Sequence, residues 1–198
     1  KEVIVGADAD FFFAGWNYGM KVGGDVTPET LAPFGVQVYE LTESCTHIMD
    51  KAKASIDDMY ADLMNLGEIF GVEDKATALV DGYKADLAAF ADGLETGEPI
   101  RVFVYDRGGT NVMNGFEKSW GTVTWEEVVE QNPEVIIIIN YGNVTAEQKR
   151  EFMMSNPAFA EMDAVKNDRF VTLEYVAATP GPRNVNAIKT LADAFWAQ

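Results

Sequence analysis

The residues best suited to handle a ligand fall just after stretches that read as β-strands. Trp16 and Tyr18 follow one strand, Glu43 the next, then Asp106 with Arg107, Asn140 with Tyr141, and finally Tyr175. In open parallel sheets ligands sit beyond the carboxyl ends of the strands. Aromatic rings mixed with a few polar groups suit a cleft for a large, partly apolar ligand. Trp16 and Tyr18 could equally pack a domain edge. Agreement among several strand ends favours the binding pattern over any single member.

Catalytic chemistry is poorly provided for. The chain has no G-x-S-x-G, no Walker A motif and no G-x-G-x-x-G after a strand. A single histidine, His47, and a single cysteine, Cys45, exclude a His-cluster or Cys-rich metal site. Cys45 reads as a buried free thiol, or as half of a disulfide whose partner is absent; a catalytic thiol fits least. The carboxylate pairs Asp57-Asp58 and Glu126-Glu127 both fall at helix starts, where negative charge meets the positive end of the helix dipole.

A helix over residues 73–94 organises the elements that must place these groups. Ala76, Leu79, Val80, Tyr83, Leu87, Phe90 and Leu94 recur at helical spacing, with Asp74, Asp81 and Asp92 on the opposite face. It lies between two strand-rich halves and predicts a rigid spine about 33 Å long. Before it, strands are predicted at Glu2–Val5, Asp10–Ala14 and Val36–Leu41. A helix beginning at Thr27-Pro28 and stopping at Gly35 precedes the last of these, and a Ser55-capped helix follows it. The Ser55-capped helix is expected to bury Ile56, Met59, Tyr60, Leu63, Leu66, Ile69 and Phe70. Beyond the spine, strands are predicted at Ile100–Tyr105, Val135–Ile139 and Arg169–Leu173. Between them lie an irregular stretch up to Thr124 and helices opened by the capping-box patterns Thr124/Glu127 and Thr145/Gln148. Asn184 is predicted to cap a closing helix burying Ile188, Leu191, Ala194, Phe195 and Trp196. Strands alternating with helices imply mostly parallel sheets in both halves.

Composition bounds the partners. The 198 residues carry a formal net charge of −17, a field that repels phosphate backbones and argues against nucleic acid. No apolar run approaches the ~18 residues of a membrane span. A chain opening at Lys1 without Met or a leader-like segment is expected to have been processed or trimmed.

Several motifs in order resemble the substrate-binding proteins of ABC importers for iron–siderophore, haem and cobalamin. They are A-D-A-D-F-F-F-A-G-W (Ala7 to Trp16), T-P-E-T-L-A-P-F-G-V (Thr27 to Val36), L-G-E-I-F-G-V-E-D-K-A (Leu66 to Ala76) and W-G-T-V-T-W-E-E-V-V-E-Q-N-P-E-V-I-I-I (Trp120 to Ile138). The resemblance spans nearly all of residues 7–198. It implies an α/β fold of two Rossmann-like lobes with mostly parallel sheets joined by one long rigid helix, a class III periplasmic binding protein. The implied division is 1–72 for the first lobe, 73–96 for the backbone helix and 97–198 for the second lobe. Gly6–Ala7 reads as a splice and Asp106–Thr110 as short against this family, so the first lobe is expected to be incomplete.

The resemblance also implies binding without turnover. The ligand would be a ferric siderophore, haem or cobalamin lodged between the lobes, with no intrinsic cofactor. Trp16, Tyr18 and Glu43 would meet it from the first lobe, and Arg107, Tyr141, Tyr175 and Arg183 from the second. Arg107 and Arg183 would face ligand carboxylates or phenolates. Members of this family engage arginines of the permease through one acid on each lobe, and Glu126 matches the second-lobe position. The implied partner is an ABC permease and the implied location extracytoplasmic, as a lipid-anchored monomer. A corrinoid or other cofactor precursor on the same fold is an alternative, and zinc or manganese is disfavoured by the lone histidine. A nitrogenase-like enzyme subunit is the remote alternative, because cluster-ligating cysteines are lacking.

Overall fold

The computed structural model describes residues 1–15, 23–42, 54–94, 99–105, 110–111 and 123–196. Trp16, Tyr18, Glu43 and Arg107 lie outside the described residues, as do Cys45 and His47. The chain divides into two compact units, Lys1–Asp81 and Gly82–Gln198.

The first unit opens with helix α1 (Glu2–Gly6), where a strand was predicted. A short β-branched run fits either state, and only a pairing partner would make it a strand. Val3 instead stands 86% exposed, and the backbone passes through Gly6 and Ala7 as the close of this helix, Ala7 N–H donating to Val3 O at 3.1 Å. Strand β1 (Phe11–Ala14) pairs in parallel with β2 (Gln37–Glu40). Between them α2 (Pro28–Leu31) starts as predicted, Thr27 accepting from the Thr30 N–H at 3.2 Å. It tightens into a 3-10 turn and ends at Gly35, whose φ of 79° is a left-handed stop open to glycine.

Helix α3 (Ile56–Ile69) is capped as predicted, the Asp58 carboxylate accepting from the Ser55 N–H at 2.6 Å. Its buried face is Met59, Tyr60, Asp62 and Gly67, while Ile69 and Phe70 are exposed. Ile56, Leu63 and Leu66 of the predicted stripe are half-buried, and on that face α3 meets α4 (Glu73–Asp92) through a close approach. A Cβ on Gly67 would lie 2.5 Å from that of Ala76. Only Ala76 and Val80 of α4 are buried, and Leu79 is 42% exposed. The division between the units falls inside this helix.

The second unit holds a sheet in the order β4-β3-β5-β6. Strands β3 (Val102–Tyr105), β5 (Val135–Asn140) and β6 (Phe170–Glu174) are parallel. The short β4 (Thr110–Asn111) runs antiparallel to β3, in a stretch predicted to be irregular. Helix α5 (Trp125–Gln131) returns the chain from the β3–β4 hairpin to β5, and α6 (Ala146–Ser155) with the short α7 (Asp163–Lys166) returns it from β5 to β6.

Val135 to Ile139 are all buried, as a continuous β-branched run in a doubly covered strand should be. At roughly 1.5–3 kcal/mol for each fully buried large side chain, this strand is the anchor of the unit. On one face Ile136 and Ile138 pack with Phe103, Val128, Met153 and Phe159. On the other, Val135, Ile137 and Ile139 pack with Val171, Leu173 and Ala187. Ala187 belongs to the closing helix α9 (Asn184–Trp196), whose fully buried residues are Val185, Ala187 and Ala192; of the predicted stripe Leu191, Ala194 and Phe195 pack half-buried against this core, while Ile188 is 39% exposed. No helix among the described residues is long and apolar enough to cross a membrane.

Candidate ligand-binding site

The sheet of the second unit brings two of the predicted site residues together. Tyr141 immediately follows β5, and Tyr175 immediately follows β6 as the first residue of the short helix α8 (Tyr175–Ala178). Their rings stack with centroids 4.3 Å apart and planes 24° from parallel. The parallel register that sets Asn140 beside Glu174 places the next residues side by side at the carboxyl tips. Asn140 Nδ2 donates to Glu174 Oε1 at 2.9 Å, a second link across the same tips. Tyr141 remains 43% exposed, so this ring pair is accessible.

Arg183 lies at the end of the Pro180-Gly181-Pro182 turn, immediately before α9, and is exposed. Asn184 organises that turn. Its side chain accepts from the Gly181 N–H at 2.7 Å and donates to the Ala177 and Thr179 carbonyls, both at 2.9 Å. The predicted helix cap is thus spent on the loop, and it fixes the backbone that carries Arg183.

A third strand tip is Tyr105, which ends β3. Its ring stacks on Phe103 at 6.1 Å and meets Trp125 edge-on at 5.3 Å. Burial pushes the Tyr105 phenol above its ordinary pKa, so it stays a neutral hydroxyl at physiological pH.

Sequence reading missed Lys149, which is 2% exposed beneath these tips. Its Nζ donates to the Ile139 carbonyl at 2.6 Å and the Tyr141 carbonyl at 3.2 Å, and lies 5.7 Å from the centre of the Tyr105 ring. A signal was present: Ala146, Lys149 and Met153 form the buried stripe of α6 at steps of three and four. A lysine in such a stripe marks a buried charge.

In the first unit the corresponding strand end is held by Asp62, also missed. Its carboxylate accepts from the Tyr39 hydroxyl at 2.7 Å, the Thr42 hydroxyl at 2.7 Å and the Thr42 N–H at 3.2 Å. Thr42 is the residue before Glu43.

Glu126 stands exposed in the first turn of α5. It borders a shallow groove of about 310 Å³ with Trp125, Val129, Glu130, Ala158 and Phe159. The cap of the helix is made by its neighbour, since Glu127 accepts from the Thr124 N–H at 2.7 Å. No group of three or more His, Cys, Asp or Glu side chains suited to a metal ion occurs among the described residues.

Comparisons with known proteins bear on the fold that carries these residues. A sequence model described as periplasmic binding protein matches residues 100–177, which include the second unit's parallel strands. The chain is 25% identical over 166 residues to an uncharacterized ABC transporter substrate-binding lipoprotein, YvrC, of Bacillus subtilis, taking in 72% of this chain and 51% of that protein. It therefore spans about half the length of this curated relative. A crystal structure of a periplasmic binding protein from Veillonella parvula superposes with a TM-score of 0.81 at 29% identity, covering 100% of this chain and 73% of the other. An ABC-type Fe3+-hydroxamate transport system protein from Saccharomonospora viridis gives 0.72 at 21% identity, covering 98% and 71%. These proteins are named for binding and transport, none of them as an enzyme. In the sequence of residues 100–177 and in the fold of the whole chain, this protein is thus related to the periplasmic binding proteins, the group that includes substrate-binding proteins of ABC importers.

Proposed function

We propose that the chain serves as an extracytoplasmic solute-binding protein that captures an iron–siderophore or related chelate and passes it to an ABC permease. The observation that carries this reading is the stacked Tyr141–Tyr175 pair at adjacent strand tips. Such a pair offers a flat π surface to an aromatic or macrocyclic chelate, and stacking is worth about 0.5–1.5 kcal/mol beyond the area buried. The exposed guanidinium of Arg183, beside a loop pinned by Asn184, supplies a positive group for a ligand carboxylate or phenolate. The name of the Saccharomonospora viridis relative supports an Fe3+ chelate as cargo.

In this reading Trp16, Tyr18, Glu43 and Arg107 also face the ligand, and haem or cobalamin are the alternative guests on the same fold. Residues 1–72 and 97–198 act as lobes and 73–96 as the backbone helix. Glu126 engages a permease arginine; its exposure, and the assignment of the helix cap to Glu127, leave its carboxylate available for that role. The protein works as a monomer outside the cytoplasm, anchored by lipid.

Titration with ferrioxamine B, haemin and cyanocobalamin, read by tyrosine and tryptophan fluorescence, tests the reading. Saturable quenching by one of them, shifted to weaker binding in Tyr141→Ala, is the expected result. Folded protein that responds to none of the three would overturn it.

A further inference from the structure

Lys149 is the sole buried lysine or arginine among the described residues. Burying an ammonium costs several kcal/mol unless it is well compensated, and a methionine would fill the same slot in α6 without that cost. What the charge does there follows from the direction of the backbone groups along β5. Ile136 N–H donates toward β6, to Arg169 O, whereas Val135 N–H donates toward β3, to Arg101 O. Successive residues of the strand alternate between the two neighbours, so Ile139 faces the β3 side. Among the described residues the register with β3 runs to Tyr105↔Ile138. The Lys149 ammonium meets the Ile139 carbonyl on that side at 2.6 Å, and the Tyr141 carbonyl just past the strand at 3.2 Å. The lysine thus clasps the end of β5 at two carbonyls, one inside the strand and one just past it.

Tyr141, one of the two residues so held, carries half of the ring pair. We infer that Lys149 is a positioning residue of the ligand site: its ammonium fixes the β5 tip, and with it the Tyr141–Tyr175 pair, in the arrangement that receives the ligand. This rests on the function proposed above for the same tips. Lys149 does not itself touch the ligand; it acts through the backbone of Tyr141. Without it the two carbonyls lose their donor, the tip relaxes toward water, and the rings part.

The test reads the ring pair in ligand-free protein, by near-ultraviolet circular dichroism, with Tyr175→Leu defining the pair's contribution. Lys149→Met is expected to lose at least half of that contribution with its far-ultraviolet spectrum unchanged. Met153→Ala, which opens the core one turn further along α6 without reaching the tip, is the control and is expected to keep it. Lys149→Met is also expected to weaken binding of ferrioxamine B or haemin by up to about tenfold, as loss of an ordered aromatic platform should. Lys149→Leu, which likewise has no donor, gives the same reading if the methionine variant fails to fold. An unchanged ring signal in a folded Lys149 variant, or equal loss in Met153→Ala, overturns the inference. So does failure of both Lys149 variants to fold, which would make the lysine a determinant of the fold alone. Loss of the signal confined to the Lys149 variants supports it even where wild-type protein takes up neither probe. That outcome would remove the proposed ligand class and leave the hold on the tip standing.

Discussion

The carboxylate of Asp62 binds both polar groups that Thr42 offers, its hydroxyl at 2.7 Å and its backbone N–H at 3.2 Å. Asp62 is 6% exposed and also accepts the Tyr39 hydroxyl, so one side chain of α3 closes the end of β2. Replacing it with alanine would leave these donors without their acceptor. Asp62→Ala is expected to lose about 2–3 kcal/mol in urea unfolding, in line with the cost of stripping charged hydrogen bonds from buried groups. Tyr39→Phe, which removes one donor of the set, should lose about 1 kcal/mol. Equal losses in the two variants would contradict this account.

At the other strand tips the expectation concerns affinity more than stability. Arg183 is exposed, so Arg183→Ala should unfold within about 0.5 kcal/mol of wild type, and Tyr141→Ala, which gives up its ring contact with Tyr175, within about 1.5 kcal/mol. Tyr141→Ala should weaken binding of ferrioxamine B or haemin by up to about tenfold. Arg183→Ala should act selectively, weakening haemin, with its carboxylates, and sparing ferrioxamine B, which has none. Isothermal titration of both variants with both probes checks this; equal loss for the two probes in Arg183→Ala would refute charge pairing.

Glu126 and Glu127 are adjacent in sequence and separable in role. Glu127 accepts from the Thr124 N–H and hydroxyl at 2.7 and 3.1 Å. Glu127→Ala should therefore lose about 1 kcal/mol of stability, the ordinary worth of a helix cap. Glu126→Ala should leave stability and ligand affinity intact and reduce ligand-stimulated ATP hydrolysis by the cognate permease in vesicles. Normal stimulation by a folded Glu126→Ala protein would return that residue to a helix-dipole role.

Acid should loosen the start of α6. The Glu147 carboxylate is held below the ordinary carboxylate range by its own backbone N–H and then by the Thr145 hydroxyl. A carboxylate whose folded value is depressed adds stability above its unfolded value, and that stability fades as pH falls through the folded one. The urea midpoint should consequently drop between neutral pH and the region below the normal carboxylate range, and drop less steeply in Glu147→Gln. Parallel slopes for the two proteins would exclude a contribution from this group.

The sequence made the architecture of the second unit legible because its signals are local. The buried run from Val135 to Ile139, and threonines three residues ahead of Glu127 and Gln148, mark strand and helix starts by side-chain chemistry alone. Signals that depend on a distant neighbour were misread. The run after Lys1 has the composition of a strand and became helix α1. The buried face of α3 takes in Gly67, which no apolar pattern marks, because Ala76, nine residues on, comes too close for a side chain there. At the site, Tyr141 and Tyr175 could be placed at strand ends, but only the β5–β6 register makes them partners. Lys149 and Asp62 stayed hidden because only apolar residues were assigned to buried helix faces. These two are the groups that tie the strand ends down.

The three bonds of Asn184 bear on how quickly a guest could be captured. Gly181, Ala177 and Thr179 are already fastened to one amide before anything arrives. Ordering a loop during capture forfeits roughly 0.5–1.5 kcal/mol for each side chain immobilised, and that loss is largely avoided when the backbone beneath Arg183 starts in place. Uptake at this corner should then proceed as one encounter-limited phase, its rate rising linearly with guest concentration, without the plateau that a slow rearrangement imposes.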